Sequence, residues 1–476
     1  MIRIVIYLLL AGVCLSLSGT QTVEAAESNA GEKIPWRGVV EGFYGQPWSN
    51  QERAEQFSFY QQKGLNAYIY APKDDPYHRS RWREPYPPAE LKALLALSSA
   101  AKERGVSFVF ALSPGLDMHI SGPEEEKDIE ALLAKFEQLY DEGIRGFAVF
   151  FDDIHNKDGA GQARILNAVE SRFIAGKKDV LPLITVPTEY FTADMFQDGK
   201  MKPYTLSFSK NLHPDILVLY TGPGVVCDGI DQADIEKVQT VYGKRLGIWW
   251  NYPVNDYLLP KLALGPLTGL EGIAKKNIPA LFINPMEKAE LSKISLATAA
   301  DFAQNPARYQ EENSWQAAIA SQYGDLAGAM EIFAAHSQRM EKGWAHAGRE
   351  DAPDLRAKMN QLFEKLDKGE DISWEISCLQ AGFLQMQAAG TRLQRELPET
   401  IKQEAAPQIR LFLQLAAADQ TALMVLQAKA DHHAALYHAL KKQLLKEKNQ
   451  LPSVKQARIS EKTAQAFIER ALQTEF

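Results

Sequence analysis

Two adjacent carboxylates, Asp152 and Asp153, directly follow the apolar run Gly146-Phe147-Ala148-Val149-Phe150-Phe151. Such a run reads as a buried strand, so both acids stand where it emerges from the fold. Neighbours on a strand face opposite ways, but at a strand end the second can turn onto the loop and lie beside the first. Carboxylates that displace a glycosidic bond directly must flank it, ~5–5.5 Å apart for retention and ~6.5–9.5 Å for inversion, and sequence neighbours are poorly placed for that. They suit a reaction in which the sugar's own 2-acetamido oxygen attacks the anomeric carbon. One carboxylate then orients the acetamido N–H and the other protonates the leaving oxygen. Repulsion between the two charges favours one ionised and one protonated member. Paired Asp residues can also hold Mg²⁺ or Mn²⁺. His155 lies close by, but no second His or Glu completes a recognisable ligand spacing, so the reading carries neither metal nor cofactor.

Positioning such a pair takes a scaffold, and the chain supplies a repeating one. From Lys33 to Asn305, β-branched or aromatic runs alternate with amphipathic stretches long enough to be crossover helices. The runs are Arg37–Glu41, Ala67–Ala71, Ser107–Leu112, Gly146–Phe151, Leu181–Val186, Ile216–Tyr220, Leu246–Trp250 and Ala280–Ile283. Eight of them predict an α/β fold, a (β/α)8 TIM-type barrel over residues 33–305. Ser49 with Glu52 forms a capping box for a helix ending near Gly64, and a second helix is predicted over Pro88–Arg104. Barrel chemistry sits at the C-terminal ends of the strands. There the sequence places Glu41-Gly42-Phe43-Tyr44, Lys73-Asp74-Asp75, Asp152-Asp153, Thr188-Glu189-Tyr190, Asn251 with Asp256 beyond it, and Asn284. One such residue could be a helix cap; a set recurring at six strands points to a site.

After Asn305 the β signal stops. Trp315–Met340, Asp354–Leu366, Trp374–Arg395 and Ala405–Leu440 carry helical spacing, which predicts an all-α helical bundle over residues 306–476. Leu362, Leu366, Leu411, Leu413 and Leu423 belong to its core, and Pro398, Pro407 and Pro452 are expected to break any long coiled coil.

Composition narrows the function classes. Of 476 residues, 46% are hydrophobic and 24% charged, the balance of an ordinary globular protein. Lys+Arg number 52 against 60 Asp+Glu, a net charge of −8, and no dense basic run provides a footprint for nucleic acid. Residues 1–25 read as a signal peptide, with Arg3, an apolar stretch from Ile4 to Leu17 and Val23-Glu24-Ala25 as the cleavage site. The stretch is shorter than the ~20 residues of a membrane span, so the expectation is an exported protein, periplasmic or secreted, with no stable membrane insertion after cleavage. Cys227 and Cys378 would then be the remaining cysteines, and whether they pair is not readable from sequence.

Six motifs in order carry a resemblance. Glu41-Gly42-Phe43-Tyr44-Gly45 with Pro47-Trp48, Tyr68-Ile69-Tyr70-Ala71-Pro72-Lys73-Asp74-Asp75, Phe151-Asp152-Asp153-Ile154, Pro187-Thr188-Glu189-Tyr190, Thr221-Gly222-Pro223 and Trp249-Trp250-Asn251-Tyr252-Pro253 resemble the family 84 glycoside hydrolases. These are the O-GlcNAcase-type β-N-acetylglucosaminidases. The resemblance runs through the barrel and more weakly into Trp344–Met359. It implies a retaining exo-acting enzyme working through an oxazoline intermediate on terminal β-linked GlcNAc of glycans or glycoproteins. By position, Asp152 resembles the residue that orients the acetamido group, and Asp153 the general acid that later becomes the general base. Tyr190 is similar to the tyrosine supporting the reacting oxygens. Gly42, Tyr44, Lys73, Asn251, Asp256 and Asn284 resemble sugar-contacting positions, and Trp249 a wall of the acetamido pocket, with Trp250 facing the other way. Trp344 and Arg349-Glu350-Asp351 also resemble family positions, although Asp351 ahead of Pro353 is better read as a helix start. The alternatives are a glycan-binding protein on a hydrolase barrel, which would be expected to lose the acid, and an endo-acting hyaluronidase, which would need groups for glucuronate carboxylates. Oligomeric state is not legible.

Overall fold

A computed structural model describes residues 33–274 and 276–476. Eight strands, β1 (Trp36–Glu41), β2 (Ala67–Tyr70), β3 (Ser107–Leu112), β4 (Gly146–Phe150), β5 (Ile184–Val186), β6 (Leu217–Tyr220), β7 (Leu246–Trp250) and β8 (Ala280–Ile283), close into one barrel. Every barrel pairing is parallel, and β1 returns to β8 with Trp36 opposite Ala280. Parallel strands covered on both faces read as near-continuous apolar runs, which is why the sequence shows them so plainly. Val40, Ile69, Val109, Phe150, Trp249 and Phe282 fill the barrel interior. The alternate residues Val39, Tyr68, Phe110, Phe147, Val149 and Trp250 pack outward against the helices.

Helix punctuation follows the sequence closely. Ser49 and Glu52 form the reciprocal capping box of helix Asn50–Lys63, whose end is closed by Gly64 in the left-handed region. Helix Pro88–Glu103 starts on its proline and turns out through Gly105 at φ 69°.

Beyond Asn305 the chain is mainly helical, with four departures from expectation. The stretch read as one helix from Trp315 to Met340 divides into Glu311–Tyr323 and Ala327–Ala335, because Gly324 takes φ +50° between them. It is followed by a two-stranded antiparallel ribbon, Met340–Lys342 with Ala345–Ala347, inside a half expected to be all-α. Pro407 does not break its helix: Glu399–Ala430 runs through it. An interior proline costs ~3 kcal/mol, and the buried face of Ile409, Leu411, Phe412, Leu415, Val425 and Leu426 outweighs that. The segment expected to continue to Leu440 instead turns at Asp431–His433, with His432 at φ 55°. Glu399–Ala430 is long and apolar enough to cross a membrane, yet 67% of its most apolar window is buried in the fold, as in the core helix of a globular protein. The expected signal peptide, residues 1–25, lies outside the described residues. Cys227 and Cys378 are both free thiols.

Candidate active site

The C-terminal ends of the strands surround a cavity of about 520 Å³. Its lining includes all ten residues singled out in the sequence: Gly42, Tyr44, Lys73, Asp152, Asp153, Tyr190, Trp249, Asn251, Asp256 and Asn284.

Asp152 is buried where β4 ends, and Lys73, from the loop after β2, places Nζ 2.5 Å from its Oδ2. Burial alone would raise the Asp152 carboxyl, but the charge and hydrogen bond of Lys73 outweigh it and hold the group below the usual carboxylate range. Its other oxygen, Oδ1, is buried and accepts no hydrogen bond from the described residues. A buried acceptor without a donor is costly, so this oxygen is poised for a donor brought by a ligand. Lys73 also matches the charge of Asp152, so the repulsion expected between the paired carboxylates is shared with a cation.

Asp153 takes φ 56°, a left-handed conformation that Asp tolerates better than most residues. That turn swings its carboxylate off the strand and into the exposed mouth of the cavity beside Asp152. Two phenols grip it: Tyr190 donates to Oδ1 at 2.8 Å and Tyr44 to Oδ2 at 2.8 Å. Burial, followed by the charge of Asp153, raises both phenols well above the ordinary tyrosine value, so both remain donors at neutral pH.

The far wall is an amide network. Asn251 Oδ1 accepts from Trp249 Nε1 at 2.7 Å and from Asn284 Nδ2 at 3.0 Å, while its Nδ2 donates to the Val225 carbonyl at 2.8 Å. Asn284 Oδ1 accepts from the Gly42 N–H at 3.3 Å. Trp249 closes the floor edge-on to Phe150, with ring centroids 5.6 Å apart. Gly42 lies so close to that indole that a Cβ there would fall 2.5 Å from the ring. Trp250 faces the helices, as expected for the second of the pair. Asp256 accepts from the Tyr44 N–H at 2.9 Å, and burial raises its carboxyl.

Other strand-end polar residues turn out to be structural. Glu41 is fully buried, bound in bidentate fashion by Arg53 and contacted by the Tyr68 hydroxyl. Asp75 accepts from Tyr70 and Tyr86, and Glu189 from Thr205. Sequence reasoning did not single out Val186, Val225, Val226, Val254 and Tyr257, which also line the cavity; nothing in their spacing marks them. Thr221, from the motif Thr221-Gly222-Pro223, also lines it. Trp344 reaches the mouth from the ribbon of the helical half and lies 5.4 Å from the Tyr257 ring. Asp351 does not start the following helix: Pro353–Asp367 is preceded by Ala352, and Asp351 turns instead to Lys261, 2.6 Å away. Among the described residues, no three His, Cys, Asp or Glu side chains converge as metal ligands.

Residues 37–335 match the family described as beta-N-acetylglucosaminidase, and residues 354–468 match one described as hyaluronidase post-catalytic domain-like. The chain is similar to proteins of Mus musculus and Rattus norvegicus named Protein O-GlcNAcase, 35% identical to each over 270 residues. That stretch is 55% of this chain but only 29% of theirs, so the chain spans under a third of the length of those relatives. Among solved structures it is similar to CpGH84B, with a TM-score of 0.89 and 38% identity, covering 93% of this chain and 77% of that one. A mutant of a Thermobaculum terrenum O-GlcNAc hydrolase gives 0.80 and 27%, covering 92% and 94%.

Proposed function

The chain belongs to the β-N-acetylglucosaminidases of glycoside hydrolase family 84, and from that premise we propose that it is a retaining, exo-acting enzyme that removes terminal β-linked GlcNAc by substrate-assisted catalysis. The observation that carries this reading is the state of Asp152, ionised by Lys73 on one oxygen and bare on the other. An acetamido N–H is the donor Oδ1 lacks, and accepting it drives electron density onto the acetamido oxygen. That oxygen attacks the anomeric carbon as the bond to the leaving oxygen breaks, and Asp153 delivers a proton to the leaving oxygen. The product is an oxazoline held as its N-protonated ion, its N–H still donating to the ionised Asp152. Water then attacks the anomeric carbon, Asp153 takes its proton, and the oxazoline opens to GlcNAc with retained configuration.

In this scheme Tyr190 and Tyr44 set the Asp153 carboxylate in place. Asn284, Asn251 and Asp256 meet sugar hydroxyls, where amide and carboxylate groups give directional contacts. Trp249 walls the acetamido methyl, and Gly42 keeps that wall approachable. Exo action is the mode that the family resemblance implies, and it belongs to the same proposal. The expected export of the protein belongs to the same proposal and makes environmental glycans or glycoproteins its substrates.

Asp153→Ala tests the assignment. General acid–base catalysis contributes about 10²–10⁴-fold, so turnover of a β-GlcNAc glycoside with a poor leaving group should fall by that factor. A good aryl leaving group, which needs no proton, should lose far less in the first step. Wild-type turnover of the poor leaving group by Asp153→Ala would overturn the assignment.

A further inference from the structure

Three buried polar side chains, Thr188, Gln162 and Tyr204, adjoin the loop that carries the aspartate pair, and none of them lines the cavity. They form a run of hydrogen bonds with a fixed direction. The Thr188 N–H donates to the Tyr204 hydroxyl at 2.8 Å, and that hydroxyl donates to Gln162 Oε1. Gln162 Nε2 donates to Thr188 Oγ1 at 2.8 Å, and Thr188 Oγ1 donates to the Phe151 carbonyl at 3.0 Å. The run leaves Thr188 and returns to it, so it closes into a ring in which each bond polarises the next. The Asn156 carbonyl lies 3.3 Å from both Gln162 Nε2 and Thr188 Oγ1. Three elements supply the members: Thr188 lies just after β5, Gln162 near the start of helix Gly159–Val169, and Tyr204 at the start of helix Pro203–Asn211. Gly159 lets these two helices close on the ring, since a Cβ there would fall 2.3 Å from the Tyr204 carbonyl.

The two carbonyls held by the ring bracket the catalytic pair. Phe151 directly precedes Asp152, and Asn156 follows Asp153 by three residues. Between them Asp153 takes φ 56°, a conformation that a non-glycine residue keeps only where its surroundings impose it. Thr188 also stands two residues before Tyr190, the phenol that donates to Asp153 Oδ1 at 2.8 Å. One ring therefore ties the turn that presents Asp153 to the strand end that presents its donor. We propose that Gln162, acting through this ring, is a positioning residue for proton transfer: it keeps Asp153 aligned with the leaving oxygen without lining the cavity itself. The inference rests on the catalytic reading given above.

The test measures kcat/KM of the whole protein on aryl β-N-acetylglucosaminides whose leaving phenols span a range of acidity, for wild type, Gln162→Met and Thr188→Val. A strongly acidic phenol departs without a proton, whereas a weakly acidic one needs the proton of Asp153. Misplacing a catalytic group by about 1 Å can cost about 10²-fold, so each variant should lose about ten- to a hundredfold on the weakest acid and about twofold on the strongest. The dependence on leaving group then steepens. Because the readout is a ratio within one preparation, it holds for whatever fraction of a variant is folded. Tyr204→Phe removes a single hydroxyl from the ring, should steepen the series as well, and serves if the other two variants do not fold. A ring that only stabilises the fold would lower all the rates by one factor, so a parallel loss or an unchanged slope overturns the inference. Asp153→Ala on the same series tells the two claims apart. A steep series for Asp153→Ala beside a wild-type slope for the ring variants overturns the positioning role alone. A wild-type slope for Asp153→Ala overturns both.

Discussion

Lys73 governs what Asp152 can do. Burial pushes the Asp152 carboxyl up, while the ammonium 2.5 Å away pulls it down further than burial raises it. In Lys73→Met only the upward push remains, so Asp152 would ionise at higher pH and the acid limb of the kcat/KM profile should move upward in pH. A pH–rate profile of the variant checks this, and an unmoved acid limb would detach Lys73 from the ionisation of Asp152. At this scale the sequence was legible where a residue type is rare at its place. Paired acids after six apolar residues, and a lysine in the loop after β2, stand out for that reason. It was not legible whether a strand-end carboxylate faces the cavity or the helices: Glu41 and Asp153 look alike in sequence. One is claimed by Arg53, twelve residues on, and the other by a left-handed turn. Valines lining the cavity carry no mark at all, because the barrel is full of valines.

Elements were legible in proportion to how much they bury. The eight barrel strands stood out because both faces are covered, whereas Met340–Lys342 and Ala345–Ala347 are too short and too mixed to show a period of two. Pro407 misled because local propensity yields to tertiary packing. The same long helix makes a testable contact with the barrel. Glu404 accepts from the N–H groups of Glu290 at 3.0 Å and Leu291 at 2.8 Å, capping the helix Ala289–Gln304 that follows β8. Burial pushes its carboxyl up to about 7 from an ordinary 4.5. Between those values the folded state keeps a proton that the unfolded chain releases, so stability falls as pH rises through this window, by up to about 3 kcal/mol. Denaturation midpoints measured across the window should show the decline, and Glu404→Gln should flatten it. A variant with an unchanged slope would assign the pH dependence elsewhere.

Across the whole molecule, the helical half is joined to the barrel on the side of the cavity. Lys261, in the loop after β7, places Nζ 2.6 Å from Asp351 Oδ2, and Asp351 Oδ1 accepts from the N–H groups of Gln338 and Arg339. The Tyr252 hydroxyl donates to the Gln338 carbonyl at 2.8 Å, and Trp315 Nε1 to the Leu264 carbonyl at 2.7 Å. These contacts fix the ribbon that carries Trp344 against the loop that carries Asp256 and Tyr257. Both Lys261 and Asp351 are buried. Lys261→Met strands a buried carboxylate, so it should destabilise the protein by about 3–5 kcal/mol in chemical denaturation. It should also loosen the cavity mouth, seen as a raised KM. A change within experimental error in both would show that the two halves hold together without the pair. The resemblance in the sequence faded beyond the barrel, and the reason is physical: the helical half contributes to the mouth through a few backbone-anchored contacts and one indole, not through a run of chemical groups.

The most direct test of the account is the initial rate on an aryl β-N-acetylglucosaminide beside the matching aryl β-glucoside, at one pH and with EDTA present. The two differ only in the acetamido group that Asp152 is proposed to orient. Turnover of the N-acetylglucosaminide alone is the predicted result; equal turnover of both would contradict acetamido-assisted catalysis and the roles given to Asp152 and Asp153.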